Sequence, residues 1–272
     1  MKVYLFIFTC KRDFNLLPYS VGSCKKIKDS LTGDDYLHII ACLDSGEEYS
    51  KEDYDYIRSL GVDQITLSKF PRKGNLNGSK CVVGMMDEFV TYTPDDADFA
   101  CQFDSDCILQ CFGYFKSIKG ELGGEALGFS DAMGGRFACA GPGLCIKKSL
   151  AKKIKAMAEN PKYAARIDKG PGYSDTMIGA LAEMVGSPCY CLPYESAPLC
   201  EGSDKYRARV GMYFEGGKPF PNVPFCEMSA IIHFDNKNAR TMAGSDDIEK
   251  RLKLVELSMR GWYNTRINQQ QT

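Results

Sequence analysis

An alternation of two kinds of segment constrains this chain more than any other feature. Short apolar runs and helix-like stretches take turns through its first half. "VYLFIFT" (3–9), "YLHIIACLD" (36–44), "QITLSK" (64–69) and "FACQF" (99–103) read as buried strands. Helical patterns lie between them, at 16–29, 50–61 and 78–92. In the last of these, Val82, Met85, Met86 and Phe89 recur at helical spacing. Ser50 stands where an N-cap belongs, and Gly61 where a helix stops. Strands separated by helices build βαβ units. The expected architecture is therefore α/β, with a mixed, mostly parallel central sheet flanked by helices.

The second half is less regular. "EALGFSD" (125–131) and "FACAGPGLCIK" (137–147) read as strands, and Leu150, Ile154 and Met157 mark one helical face. "SDTMIGALAEMVG" (174–186) is a helix with Ser174 as its N-cap. Gly- and Pro-rich loops are expected over 187–224, then a late strand, "MSAIIHFD" (228–235). Ser245 caps a last helix with the stripe Ile248, Leu252, Val255, Met259 and Trp262, and 266–272 is a frayed tail.

Composition narrows the function. With 272 residues, 44% of them hydrophobic, the chain can bury a sizeable core. A net charge of −1 excludes a global positive field for nucleic acid or an anionic membrane. No run approaches the roughly 20 apolar residues of a transmembrane segment. The 13 cysteines are odd in number, and the opening "MKVYLFIFTCKRD" leads to no cleavage site. The expectation is a cytoplasmic protein with reduced, buried cysteines. "CILQC" and "CYC" lack zinc-knuckle spacing, and His38 and His233 are the only histidines.

One strand ends abruptly. In "FACQFDSDCILQCF" (99–112), Asp104 and Asp106 interrupt an apolar segment. If strand geometry continues, residues two apart point the same way, just past a strand end where α/β sheets bind ligands. Two neighbouring carboxylates repel, and a divalent cation removes that cost. The pattern recurs at Asp53/Asp55, in a polar helix, and at Asp96/Asp98, in a turn after Pro94. Only the third pair ends an apolar strand. An exposed turn with Asx-type hydrogen bonds is the competing reading.

The order of these elements over 2–237 resembles glycosyltransferases of the GT-A fold, which carry a D-x-D motif between a nucleotide-binding half and an acceptor half. The resemblance implies one domain over 1–240, with a nucleotide half at 1–110 and an acceptor half at 111–240. A C-terminal helix and tail, 241–272, follow. It implies Mn2+ or Mg2+ held by Asp106 most directly and by His233 at the end of the late strand, with Asp104 binding the ribose or the metal indirectly. It implies a UDP-sugar donor. Thr9 then meets base or ribose, Arg12 a phosphate, and Asp44 the uracil imide N–H, which cytosine lacks. Lys73, Asn77 and Lys80, near a helix N-terminus, and Lys237 are expected to meet the anionic donor. Gly141 and Gly143 are expected to form the floor between sugar and acceptor.

The activity implied is transfer of a hexose or pentose to an acceptor hydroxyl. Asp175, at the start of a helix, matches the base of an inverting mechanism. Relatives often carry Glu-Asp where this chain has Ser-Asp, and without that base the mechanism is retaining. The acceptor is a glycan or lipid-linked saccharide, or a hydroxymethylated base in viral DNA presented to the run Lys147, Lys148, Lys152, Lys153 and Lys155. Two other functions compete. A sugar nucleotidyltransferase needs a Gly-rich phosphate loop after the first strand, and "TCKRDFN" has no glycine. A non-catalytic GT-A-like binding protein would hydrolyse no donor.

Overall fold

The structure is a computed structural model and describes residues 1–71, 78–130, 135–138, 142–169, 174–192, 207–214, 218–219 and 229–234. The four apolar runs are strands β1 (Lys2–Thr9), β2 (Tyr36–Leu43), β3 (Gln64–Leu67) and β4 (Phe99–Asp104). The helical patterns between them are α1 (Leu17–Ser30), α2 (Lys51–Ser59) and α3 (Ser79–Tyr92). The strands pair in parallel in the order β3-β2-β1-β4.

Both faces of this sheet are covered. Val3, Leu5 and Ile7 enter one core with Leu17 and Val21 of α1 and Ile57 of α2. Phe6 and Phe8 enter the other with Val82, Met86 and Phe89 of α3. Two-sided burial explains why the strands are continuous apolar runs rather than alternating ones. Each fully buried Leu, Ile or Phe adds about 1.5–3 kcal/mol. Helix α2 starts on a capping box, in which Ser50 and Asp53 each bind the other's backbone N–H. It ends at Gly61, whose φ of +92° suits the residue after a helix.

Past β4 the sheet changes character. It continues antiparallel through β8 (Pro142–Ile146), β6 (Leu122–Ser130) and β7 (Gly135–Ala138), and β9 (Tyr190–Leu192) runs parallel to β6. The short helix α4 (Gly113–Lys116) and helices α5 (Lys148–Glu159), α6 (Pro161–Lys169) and α7 (Ser174–Met184) complete the layers. Ser174 is the first residue of α7 rather than the residue before it.

A second, smaller sheet joins β10 (Arg207–Phe214), β11 (Lys218–Pro219), β12 (Ser229–Phe234) and β5 (Cys107–Leu109) in the order β11-β10-β12-β5. Strands β9, β10 and β11 correct the expectation of loops throughout 187–224. The expected helix on Ser245 and the frayed tail lie outside the described residues, as does the boundary at 240. Nine of the cysteines among the described residues are buried, and none of these nine is in a disulfide. Among the described residues, no helix is long and apolar enough to cross a membrane.

Candidate active site

Strand β1 lies between β2 and β4. The chain leaves β1 to build β2 and β3 on one side, then returns to build β4 on the other. In open α/β sheets, ligands bind outside the carboxyl ends of the strands at such a reversal. Register lines up the edge: Thr9 pairs with Leu43, and Phe8 with Asp104. Thr9, Asp44 and Asp104 therefore reach the same end of the sheet.

The three D-x-D pairs have separate explanations. Asp53 caps α2 and meets Lys11 Nζ at 2.9 Å, while Asp55 pairs with Lys51 and Arg58. Asp98 accepts from Lys2 N at 2.7 Å and Asp96 pairs with Lys2 Nζ, which ties down the start of β1. Asp104 and Asp106 do not project together as two residues of one strand. Strand β4 ends at Asp104, which accepts from Gln102 Nε2 at 3.4 Å. The chain then turns at Ser105 and Asp106 and enters β5, in the other sheet.

That turn brings Asp106 to His233. His233 Nε2 is 3.3 Å from Asp106 Oδ1, with side-chain exposures of 12% and 11%. Cys107 sits directly opposite His233 in the antiparallel β5/β12 register. A carboxylate oxygen, an imidazole nitrogen and the Cys107 thiol lie within 4.8 Å of one another. Two ligand atoms bound to one cation at about 2.1 Å stand about 3.0–3.4 Å apart. The Asp106–His233 spacing fits that, and it equally fits a direct ion pair. Asp104 is outside this group, while Cys107 was not foreseen as part of it. Its membership depends on strand register, which the sequence pattern of a three-residue strand does not reveal.

The loop after β1 adds a residue missed in "FTCKRD". Asp13 ends a 3-10 turn, Lys11–Asp13, and its carboxylate accepts from Arg12 Nε at 3.3 Å and from the Cys10 thiol at 3.3 Å. Burial pushes the Asp13 carboxyl up, Arg12 opposes that, and the nearby Asp106 carboxylate adds to it. The Cys10 thiol is pushed up to about 12, chiefly by burial and then by Asp13. Thr9 is buried, its hydroxyl 3.4 Å from Cys10 O.

Asp44 is almost fully buried and its Oδ1 accepts from Gly46 N at 2.9 Å, an Asx turn. Its backbone N–H donates to Tyr49 Oη, which donates to Glu47 Oε2. Burial, then the Glu47 bond, raises the Tyr49 phenol. The N-terminus of α3, expected to attract anions, already holds one. Asp168 of α6 accepts from Ser79 N at 2.8 Å and from Ser79 Oγ at 3.0 Å. Lys80 is exposed on the first turn of α3, while Lys73 and Asn77 lie outside the described residues.

Gly143 has a φ of +112°, and a Cβ there would stand 2.8 Å from Ile231 Cδ1 and 3.0 Å from Tyr114 Cε1. Tyr114 Oη donates to Gly143 O at 2.9 Å. The space its missing side chain leaves is filled by protein. Gly141 and Lys237 lie outside the described residues, and Asp175 is the second residue of α7. The basic run on α5 is largely compensated. Lys148 and Lys152 pair with Asp95 at 2.9 and 3.7 Å, Lys155 pairs with Asp87, and Lys147 and Lys153 stand near Glu121.

No family model matches this sequence, and no curated protein does. Solved structures match in fold. The galactosyltransferase LgtC, in complex with donor and acceptor sugar analogs, aligns with a TM-score of 0.50 at 13% identity, over 94% of this chain and 95% of that one. An active-site mutant of LgtC gives a TM-score of 0.52 at 13% identity, over 93% and 95% of the two chains. The bifunctional glycosyltransferase WbbM gives 0.52 at 10% identity, over 92% of this chain and 51% of that one. At these identities the shared property is the fold. The protein has the GT-A fold of nucleotide-sugar glycosyltransferases.

Proposed function

We propose that this protein is a metal-dependent glycosyltransferase that moves a sugar from a UDP-sugar to an acceptor hydroxyl. The observation that carries the reading is the Asp106, Cys107 and His233 group, which closes the switch-point edge of a GT-A fold. A divalent cation held by Asp106 and His233 would supply positive charge against the leaving diphosphate. The imidazole nitrogen in the donor set suits Mn2+ better than the harder Mg2+.

The chain's own residues divide the remaining work. Asp44 accepts the uracil imide N–H, and Thr9 bonds base or ribose. Arg12 and Lys80, with Lys73, Asn77 and Lys237, meet the phosphates. Asp104 bonds the ribose from the end of β4, and Gly141 lines the floor, whereas Gly143 packs against Ile231 and Tyr114. Asp175, at the N-terminus of α7, takes the proton from the acceptor hydroxyl as that oxygen bonds the sugar. The outcome is inversion at the anomeric carbon.

The acceptor is a saccharide. LgtC, which shares this fold, binds donor and acceptor sugar analogs. The compensated lysines of α5 argue against a polyanion such as DNA.

A panel of nucleotide sugars with Mn2+, scored by released nucleotide, tests the reading. UDP-sugars should turn over, and Asp106→Ala should lower turnover by about 100-fold or more. Asp175→Asn should lower transfer to an acceptor sugar while Mn2+ and UDP binding stay intact. Equal turnover by wild type and Asp106→Ala would sink the metal assignment. No turnover of any donor by wild type would favour a binding module.

A further inference from the structure

Two thiols meet where the halves of the central sheet join. Cys101 lies in β4 and Cys145 in β8, and the antiparallel register sets them directly opposite each other. Their Sγ atoms are 2.8 Å apart, closer than the roughly 3.5–4.0 Å at which non-bonded heavy atoms pack. Both side chains are fully buried. Directly opposed residues of an antiparallel pair have Cα atoms about 4.5–5.5 Å apart. That lies inside the range of about 4.4–6.8 Å that a disulfide spans. The proposed transfer reaction uses neither thiol.

We propose that Cys101 and Cys145 are a modification site, forming a cross-strand disulfide when the chain meets a small-molecule disulfide of the glutathione class. One protein thiolate attacks a sulfur of the oxidant, forming a mixed disulfide and expelling one glutathione thiolate. The second protein thiolate attacks the protein-side sulfur, the cross-strand bond forms and the second glutathione leaves. Two protein thiols lose two protons and two electrons, and the oxidant becomes two thiols. The bond joins β4, which leads into Asp106, to β8, which carries Gly143. It would bolt the parallel half of the sheet to the antiparallel half beneath the candidate site. The proposal stands apart from the proposed activity, because it needs only the fold.

The experiment uses the full chain in a glutathione redox buffer. Exchange between buried sulfurs requires the strands to open, so the buffer includes sub-denaturing urea and incubation continues until the free-thiol count is constant. The protein is then alkylated under denaturing conditions and mapped by mass spectrometry. The expected result is one linked peptide pair joining Cys101 to Cys145. The oxidised chain should also melt several degrees higher than the reduced one, a gain absent in Cys145→Ala. Separate alkylation of Cys101 and Cys145 at constant thiol count, or pairing of either with another cysteine, would overturn the proposal.

Discussion

Asp13 is a largely buried carboxylate close to a second one, Asp106. Burial raises its carboxyl above the ordinary 3.8, Arg12 only partly reverses this, and Asp106 adds to it. A carboxyl with a raised folded value favours the folded state when it is protonated. Its penalty is absent below the ordinary value of 3.8 and grows as pH rises through the raised one. Asp13→Asn should therefore raise the melting temperature of the metal-free chain near neutral pH, and the gain should shrink as pH falls toward 3.8. Thermal melts across pH check this; a pH-independent effect, or a loss, would contradict it. Asp13 also shows what the sequence could not display. It stands one residue from Arg12, yet only the 3-10 turn brings it near Asp106. Cys107 likewise needed the β5/β12 register. Asp106 and His233 were legible because both end apolar runs, whereas the twin D-x-D pairs at 53/55 and 96/98 were separable only by the polar context around them.

Helix α3 begins at Gly78, which has no side chain to cap it, and the cap comes from Asp168, far along the chain. Replacing it exposes two donors of the first turn. Asp168→Ala should lower stability by about 1 kcal/mol, seen as a lower urea midpoint at unchanged slope. An unchanged midpoint would mean that water or a neighbouring group caps the helix equally well. Strands β1 to β4 were legible because burial on both faces writes a continuous apolar run. Strand β5 has three residues, and what makes it a strand is pairing with β12, not a pattern of its own. Strands β9 to β11 sit among Gly and Pro residues that read as loop. Helix α6 does carry a start signal in the sequence: Asn160 Oδ1 accepts from Lys162 N at 3.0 Å, and Pro161 opens the helix.

At the scale of the molecule, two sheets and two halves converge on one short turn. Strand β4 is parallel to β1 on one side and antiparallel to β8 on the other, and its continuation β5 leaves for the second sheet. Ser105 and Asp106 thus sit where all three arrangements meet, which places a carboxylate against a histidine from the last described strand. The α/β class and the site's edge followed from strand–helix order, since a reversal in that order marks where open α/β sheets bind ligands. The donor's identity does not follow from order, because it depends on individual side chains at the edge. The central claim is that Asp106 and His233 hold a cation for a nucleotide diphosphate. Calorimetric titration of Mn2+ in the presence of UDP tests it most directly, on wild type, Asp106→Asn and His233→Ala. The account predicts binding by wild type, weakened about tenfold or more in each variant. Equal Mn2+ affinity in all three proteins would contradict it.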